Sequence, residues 1–313
     1  MDPLGNGLTM KILIAYDGSE FADAAIHDLR HAGLPDNAEA LVYTVADVIV
    51  PPEAQPSDEV PQELPAVRRA HERAKQKLKQ AEARARAASE RIQKDFPTWQ
   101  VTFEAAAESP AWAIIFKAGG WHADLIVVGS HGKSGLAGRL ILGSVSQRVL
   151  YEAACPVRVG RESKNQGQAL RILVGVDGSP HSKAAVEAIA KRRWPANTEV
   201  RLLTVVDTVM VLNNEEEQEV KWLEVGDQDK WDDVRALFEP AAERLRATGL
   251  NAEIMIRSGH PTQVLLDEAS SWSAHCIFVG AKGVRGIERL LLGSVSAAIA
   301  ARAQCSVEVI RPS

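Results

Sequence analysis

A chain whose first half recurs in its second has to fold as two copies of one unit. Residues 11–19 read KILIAYDGS and residues 171–179 read RILVGVDGS, an offset of 160. The next apolar run keeps that offset, with LVYTVAD at 41–47 over RLLTVVD at 201–207. Pro110 then pairs with Pro261 and Gly129 with Gly280 at an offset of 151, so the first copy carries nine extra residues between Asp47 and Pro110. Gly143 with Gly293, Cys155 with Cys305 and Val157 with Val307 stand at 150, which adds one more residue to the first copy between its glycines. A length of 313 residues, at about 150 residues per domain, agrees with two units. The expected division is 1–160, a polar linker at 161–169 (RESKNQGQA), and 170–313.

Composition narrows the class. Apolar residues at 46% and charged residues at 25% are those of a globular chain. Lys and Arg number 36 against 41 Asp and Glu, a net charge of -5, without the positive field of a nucleic-acid binder. Cys155, Cys276 and Cys305 have neither CxxC nor Cys/His zinc spacing and read as reduced core residues. The start, MDPLGNGLTM, lacks a basic region followed by an apolar one, and no apolar run approaches the roughly 18 residues of a membrane span. A cytoplasmic protein with no membrane and no nucleic-acid partner is expected.

Each copy alternates β-rich runs with helical patterns. LIVVG at 125–129 and CIFVG at 276–280 are apolar at both parities, as central strands covered on both faces are, and a parallel sheet flanked by helices follows. Ser179 is placed to cap the first helix of the second copy with Pro180 at its first position, and Ser19 has the same role in the first.

In open α/β sheets ligands settle beyond the carboxyl ends of the strands. There Asp17 and Asp177 each stand in an Asp-Gly-Ser turn into a helix. After the fourth strand of the second copy come Gly280 and Gly283, nine residues, then Gly293-Ser294-Val295-Ser296; the first copy has Gly129 and Gly132, ten residues, then Gly143-Ser144-Val145-Ser146. Glycines let backbone approach an anion closely, and N–H groups at a helix start favour phosphate. Neither loop is a Walker A, and no GxGxxG follows a strand.

The pattern G-x2-G-x9-G-[ST], after a domain whose first strand ends in Asp, resembles the universal stress protein family, twice over. The resemblance implies two tandem domains, each a five-stranded parallel sheet flanked by helices in the adenine nucleotide alpha-hydrolase-like fold, its last strand supplied by 156–159 and 306–309. It implies pairing of the two domains in the manner of the family dimer, with a homodimer of chains open as a further level. It also implies ATP as ligand, with Mg2+ or Mn2+ as a companion ion that the sequence leaves undetermined. Asp177 and Val205 then meet ribose and adenine, while Gly280, Gly283, Gly293, Ser294, Val295 and Ser296 surround the phosphates. In the first copy these are Asp17, Val45, Gly129, Gly132, Gly143, Ser144, Val145 and Ser146, where the tenth loop residue departs from the pattern. Glu108 in place of Gly259 is a second departure. Lys282, Arg285 and His131 are further loop residues within reach of phosphate chemistry. No catalytic residue is nominated. A nucleotide-dependent scaffold or signalling protein of the stress response is expected, with a slow ATPase or phosphoryl-transfer enzyme and a scaffold without nucleotide as the alternatives.

The extra residues of the first copy fall in a helical pattern at 64–95, apolar through Ala70, Ala74, Ala81, Ala85, Ala88 and Ile92 and basic on its other face. The matching stretch of the second copy is acidic from Glu215 to Asp233 and carries Trp222 and Trp231. An electrostatic contact between the two stretches is one expectation, and two solvated faces the other.

Overall fold

The computed structural model describes residues 9–48, 65–132, 142–162, 169–206, 228–283 and 292–312, with 228–230 as backbone only. The first half runs β1 (Met10–Ala15), α1 (Glu20–Asp28), β2 (Ala38–Ala46), α2 (Pro65–Asp95), β3 (Gln100–Ala107), α3 (Pro110–Trp121), β4 (Leu125–Gly129), α4 (Ser144–Glu152) and β5 (Val157–Gly160). The second repeats this as β6 (Arg171–Gly175), α5 (Pro180–Ala190), β7 (Glu199–Val206), α6 (Gln228–Arg246), β8 (Asn251–Ser258), α7 (Pro261–Ser271), β9 (Cys276–Gly280), α8 (Ser294–Arg302) and β10 (Ser306–Ile310). Ser19 and Ser179 cap α1 and α5 by accepting from the N–H groups of Ala22 and Ser182, with Pro180 in the first turn of α5. Both caps and the fully buried β4 and β9 agree with the sequence reading.

Within each half the five strands pair in parallel, and one ten-stranded sheet results, in the order β3-β2-β1-β4-β5-β10-β9-β6-β7-β8. The seam is antiparallel: Val307 faces Val159, Glu308 faces Arg158 and Val309 faces Val157. The two halves pair with each other through β5 and β10 inside one chain, and the last strands begin at 157 and 306 rather than at 156 and 306. β3 and β8 lie at opposite ends of the sheet, roughly 40 Å apart at about 4.8 Å per strand. The basic α2 packs on β2 and β3, and α6 packs on β8, so those two helices are held apart. The acidic residues 207–227, with Trp222, lie outside the described residues; Trp231 packs at the edge of the second half's core.

Strand alternation gives the sheet two unlike faces. On one, Val157, Val159, Val307 and Val309 join the cores under α3, α4, α7 and α8 into a single cluster spanning both halves. On the other, the core under α1 and α2 is separate from the core under α5 and α6. Between them the seam turns Arg158 and Glu308, both fully buried, toward α1 and α5. Arg158 Nε donates to Asp28 Oδ2 at 2.7 Å and its Nη1 to Glu308 Oε2 at 3.1 Å. Arg192 Nη1 donates to the same Glu308 oxygen at 2.8 Å and to the Ala32 carbonyl at 2.9 Å. Burial alone would raise the Glu308 carboxyl; Arg192 and Arg158 outweigh it and hold the group below its ordinary range. Gly33, at φ +60°, lies under the Trp194 indole, where a Cβ would come within 2.7 Å of the ring.

His31 from the first half and His275 from the second approach beside this cluster, ring centroids 5.8 Å apart. His31 Nδ1 is buried without a hydrogen-bond partner. Burial first, then His275 and Arg158, lower its pKa against the opposing pull of Asp28. The unfolded chain takes up a proton near pH 6.5 and the folded chain only lower, so stability is full above about pH 6.5 and is lost as pH falls through the lowered value. Between about pH 7.5 and about pH 5.5 the natural chain is expected to lose more melting temperature than His31→Leu; equal losses in the two would refute this. The three thiols are also pushed up by burial, Cys155 and Cys305 to about 11, and stay protonated at neutral pH.

Candidate functional site

The two copies build the same arrangement at the carboxyl ends of their strands. After β1, Gly18 takes φ +78° and after β6 Gly178 takes φ +81°, the left-handed turn that glycine adopts without strain. The turn carries the chain into α1 or α5 and fixes the aspartate before it: Asp17 Oδ1 accepts from the Ser19 N–H at 2.9 Å, and Asp177 Oδ1 from the Ser179 N–H at 3.0 Å. The other carboxylate oxygen turns toward the glycine loop. A Cβ on Gly132 would lie 3.0 Å from Asp17 Oδ2, and one on Gly283 only 2.6 Å from Asp177 Oδ2.

β4 and β9 pass so close to the first turns of α1 and α5 that a Cβ on Gly129 would meet Phe21 backbone at 2.7 Å, and one on Gly280 His181 backbone at 2.6 Å. Residues 133–141 and 284–291, including Arg285 and the extra residue of the first copy, lie outside the described residues. The loops return at Gly143, whose N–H donates to the Ser130 carbonyl at 2.9 Å, and at Gly293, whose N–H donates to the Ala281 carbonyl at 2.7 Å. Those glycines are the N-caps of α4 and α8. Ser144 and Ser294 are exposed in the first turns, and Val145 and Val295 are half-buried against the shared core. The leading N–H groups of a helix lack intrahelical acceptors and attract anions.

Ser146 and Ser296 sit differently from their neighbours. Both are buried, and their hydroxyls donate to the carbonyls of Gly129 (2.7 Å) and Gly280 (2.6 Å), tying helix to strand end. In this arrangement their hydroxyl protons are already engaged. Val45 and Val205 are half-buried near the ends of β2 and β7, against the same core cluster as Val145 and Val295. The sequence-selected residues among the described ones therefore lie at the carboxyl ends of the strands of their own half, in two separate groups.

The two groups differ in their side chains. In the first half His131 lies on the Phe21 ring, centroids 4.9 Å apart, with Nδ1 3.2 Å from Ser130 Oγ and Nε2 buried without a partner. In the second, the equivalent places hold Lys282 and His181, and burial followed by the Lys282 charge lowers the His181 pKa. Among the described residues no cluster of three or more His, Cys, Asp or Glu is placed to hold a metal ion, and no helix is long and apolar enough to cross a membrane. A cavity of about 1820 Å³, lined by residues of α3 and α5 among others, lies elsewhere, and none of the sequence-selected site residues lines it.

Sequence reasoning missed Arg158 and Glu308, because a charge inside VRV or VEV reads as an exposed edge residue until its strand is paired, and Asp28 and Arg192, because a charge at the end of α1 or just after α5 reads as solvated. It also missed Arg161 and Arg311, which follow β5 and β10 and reach across the seam. The only signal available was that they occupy equivalent places, 150 residues apart.

Comparison with known proteins places this geometry among relatives. The sequence profile of the universal stress protein family matches residues 9–161 and again 169–311. A universal stress protein of Mycolicibacterium smegmatis is 29% identical over 324 aligned positions, spanning 96% of this chain and 97% of its own length. One from Mycobacterium tuberculosis H37Rv is 32% identical over 208 positions, 61% of this chain and 63% of its own. Among solved structures, a universal stress protein of Archaeoglobus fulgidus superposes with a TM-score of 0.65 at 21% identity, covering 96% of this chain and 98% of that one.

Proposed function

Because the chain belongs to the universal stress protein family, through two tandem copies of its domain, we propose that it binds ATP in each half and serves the stress response as a nucleotide-dependent scaffold. The observation that carries this reading is the meeting of Asp17 with Gly132 and of Asp177 with Gly283, beside the N-termini of α4 and α8. A carboxylate accepts hydrogen bonds from sugar hydroxyls, a helix start donates to phosphate, and a glycine between them leaves room for both. Val45 and Val205 supply apolar surface for the base. The division at 161–169 separates two binding units, and Mg2+ or Mn2+ would come with the phosphates, whose oxygens it binds together with waters and carboxylates.

The experiment is a count of nucleotides per chain. Protein is purified, denatured, and its supernatant analysed by chromatography and mass spectrometry, alongside saturation binding of added ATP. Two adenine nucleotides per chain are expected, one lost in Gly132→Val and the other in Gly283→Val, because either side chain displaces the facing aspartate. Neither carry-over nor uptake in the natural chain would overturn the reading. A single nucleotide lost only in Gly283→Val would confine it to the second half.

A further inference from the structure

The helices that open onto the two sites end at the seam, and each is completed there by the other half. Arg161, the first residue after β5, donates from Nη2 to the Ala300 carbonyl of α8 at 2.5 Å and from Nη1 to the Cys305 carbonyl at 3.2 Å. Arg311, the first residue after β10, donates from Nη2 to the Leu150 carbonyl of α4 at 2.5 Å and from Nη1 to the Cys155 carbonyl at 3.4 Å. Leu150 and Ala300 stand in the last turns of their helices, where carbonyls have no intrahelical donor. A guanidinium suits that place twice over: its fork meets two acceptors, and its charge complements the negative end of the helix dipole.

Each arginine is also tied to its own half's glycine loop. The Ile310 carbonyl accepts from the N–H of Ala281, between Gly280 and Gly283, at 2.8 Å, and Arg311 is the next residue. Gly160 stands opposite Gly129 in the sheet, and Arg161 is the next residue. Arg161 is fixed further from across the seam, since its N–H donates to Ser306 Oγ at 3.0 Å. A continuous path therefore leads from the loop of one site, through one arginine, to the C-terminus of the helix that opens the other site. The helix between is nine residues, about 13 Å, too short to absorb a displacement at one end without moving the other.

We propose that Arg161 is a positioning residue for the site of the second half and Arg311 for the site of the first, so that the two sites are coupled across the seam. The inference rests on the nucleotide reading and extends it to regulation. Coupling of this kind is reciprocal: occupancy of either site steadies the helix that opens the other.

The test uses full-length chains in which one site is removed, by Gly132→Val or by Gly283→Val, and a fluorescent ATP analogue as probe. Arg161→Gln is expected to weaken binding about tenfold at the second half's site and to leave the first within about twofold; Arg311→Gln is expected to do the reverse. Arg161→Lys keeps the charge without the fork and should recover part of the loss. Equal weakening of both sites would mark a general loosening of the seam and overturn the proposal, as would no change at either. Hydrogen exchange gives a readout independent of nucleotide: amides of α8, but not of α4, should exchange faster in Arg161→Gln. If the natural chain took up no analogue, the nucleotide reading would fall. The exchange pattern would still decide whether the arginine holds the other half's helix, and unchanged α8 protection would overturn that too.

Discussion

Arg158→Glu is expected to lower the thermal midpoint by on the order of 10 °C. Removing one partner of a buried ion pair costs about 3–5 kcal/mol, because the other charge stays buried and uncompensated, and in a chain of this size each kcal/mol moves the midpoint by about 2–4 °C. Here the loss is compounded, since the new carboxylate would stand between Asp28 and Glu308, both of which the natural arginine contacts. Glu308→Arg should act comparably by setting a third guanidinium beside Arg158 and Arg192. Positions 158 and 308 are equivalent in the two copies and face each other directly across the antiparallel seam. Two first halves paired this way would oppose Arg to Arg, and two second halves Glu to Glu, so the pair favours joining unlike halves. A melting curve read by circular dichroism decides it: a midpoint within about 2 °C of the natural chain for Arg158→Glu would show that the cluster contributes little.

Gly280→Ala is the second large effect. Its Cβ would fall 2.6 Å from the His181 carbonyl carbon and 2.8 Å from the Ser182 nitrogen. These are backbone atoms in the first turn of α5 that no rotamer change can move. Overpacking typically costs about 1–3 kcal/mol and more where backbone must shift, and here β9 would have to part from the turn that positions Asp177. The expected result is lower stability, read by denaturant midpoint, together with weaker ATP binding at the second site. Gly129→Ala should repeat this in the first half, where the Cβ would meet Phe21 at 2.7 Å. Gly119→Ala is the control: it is exposed in α3 with nothing within 4 Å of the added carbon, and alanine there should stabilise by about 0.5–1 kcal/mol. A Gly280→Ala chain as stable as the Gly119→Ala chain would refute the steric argument.

The repeat, the strands at 125–129 and 276–280, the serine caps, the long helix, read at 64–95 and found at Pro65–Asp95, and the placing of the aspartate and glycine motifs at strand ends were legible in the amino-acid sequence. These features are set by periodicity, turn chemistry and capping within a few residues, and so are written locally. The tertiary structure alone decided that Arg158 and Glu308 are fully buried. It also decided that Ser146 and Ser296 spend their hydroxyl protons on strand-end carbonyls, and that Arg161 and Arg311 complete helices of the opposite half. These contacts join groups 16 to 161 residues apart in sequence; the serine bonds form when each half folds, and the arginine and glutamate contacts only when one sheet forms from both halves. A charge in VRV or VEV has the same local pattern whether it faces water or a partner, and the desolvation that separates the two cases exists only once the seam has closed.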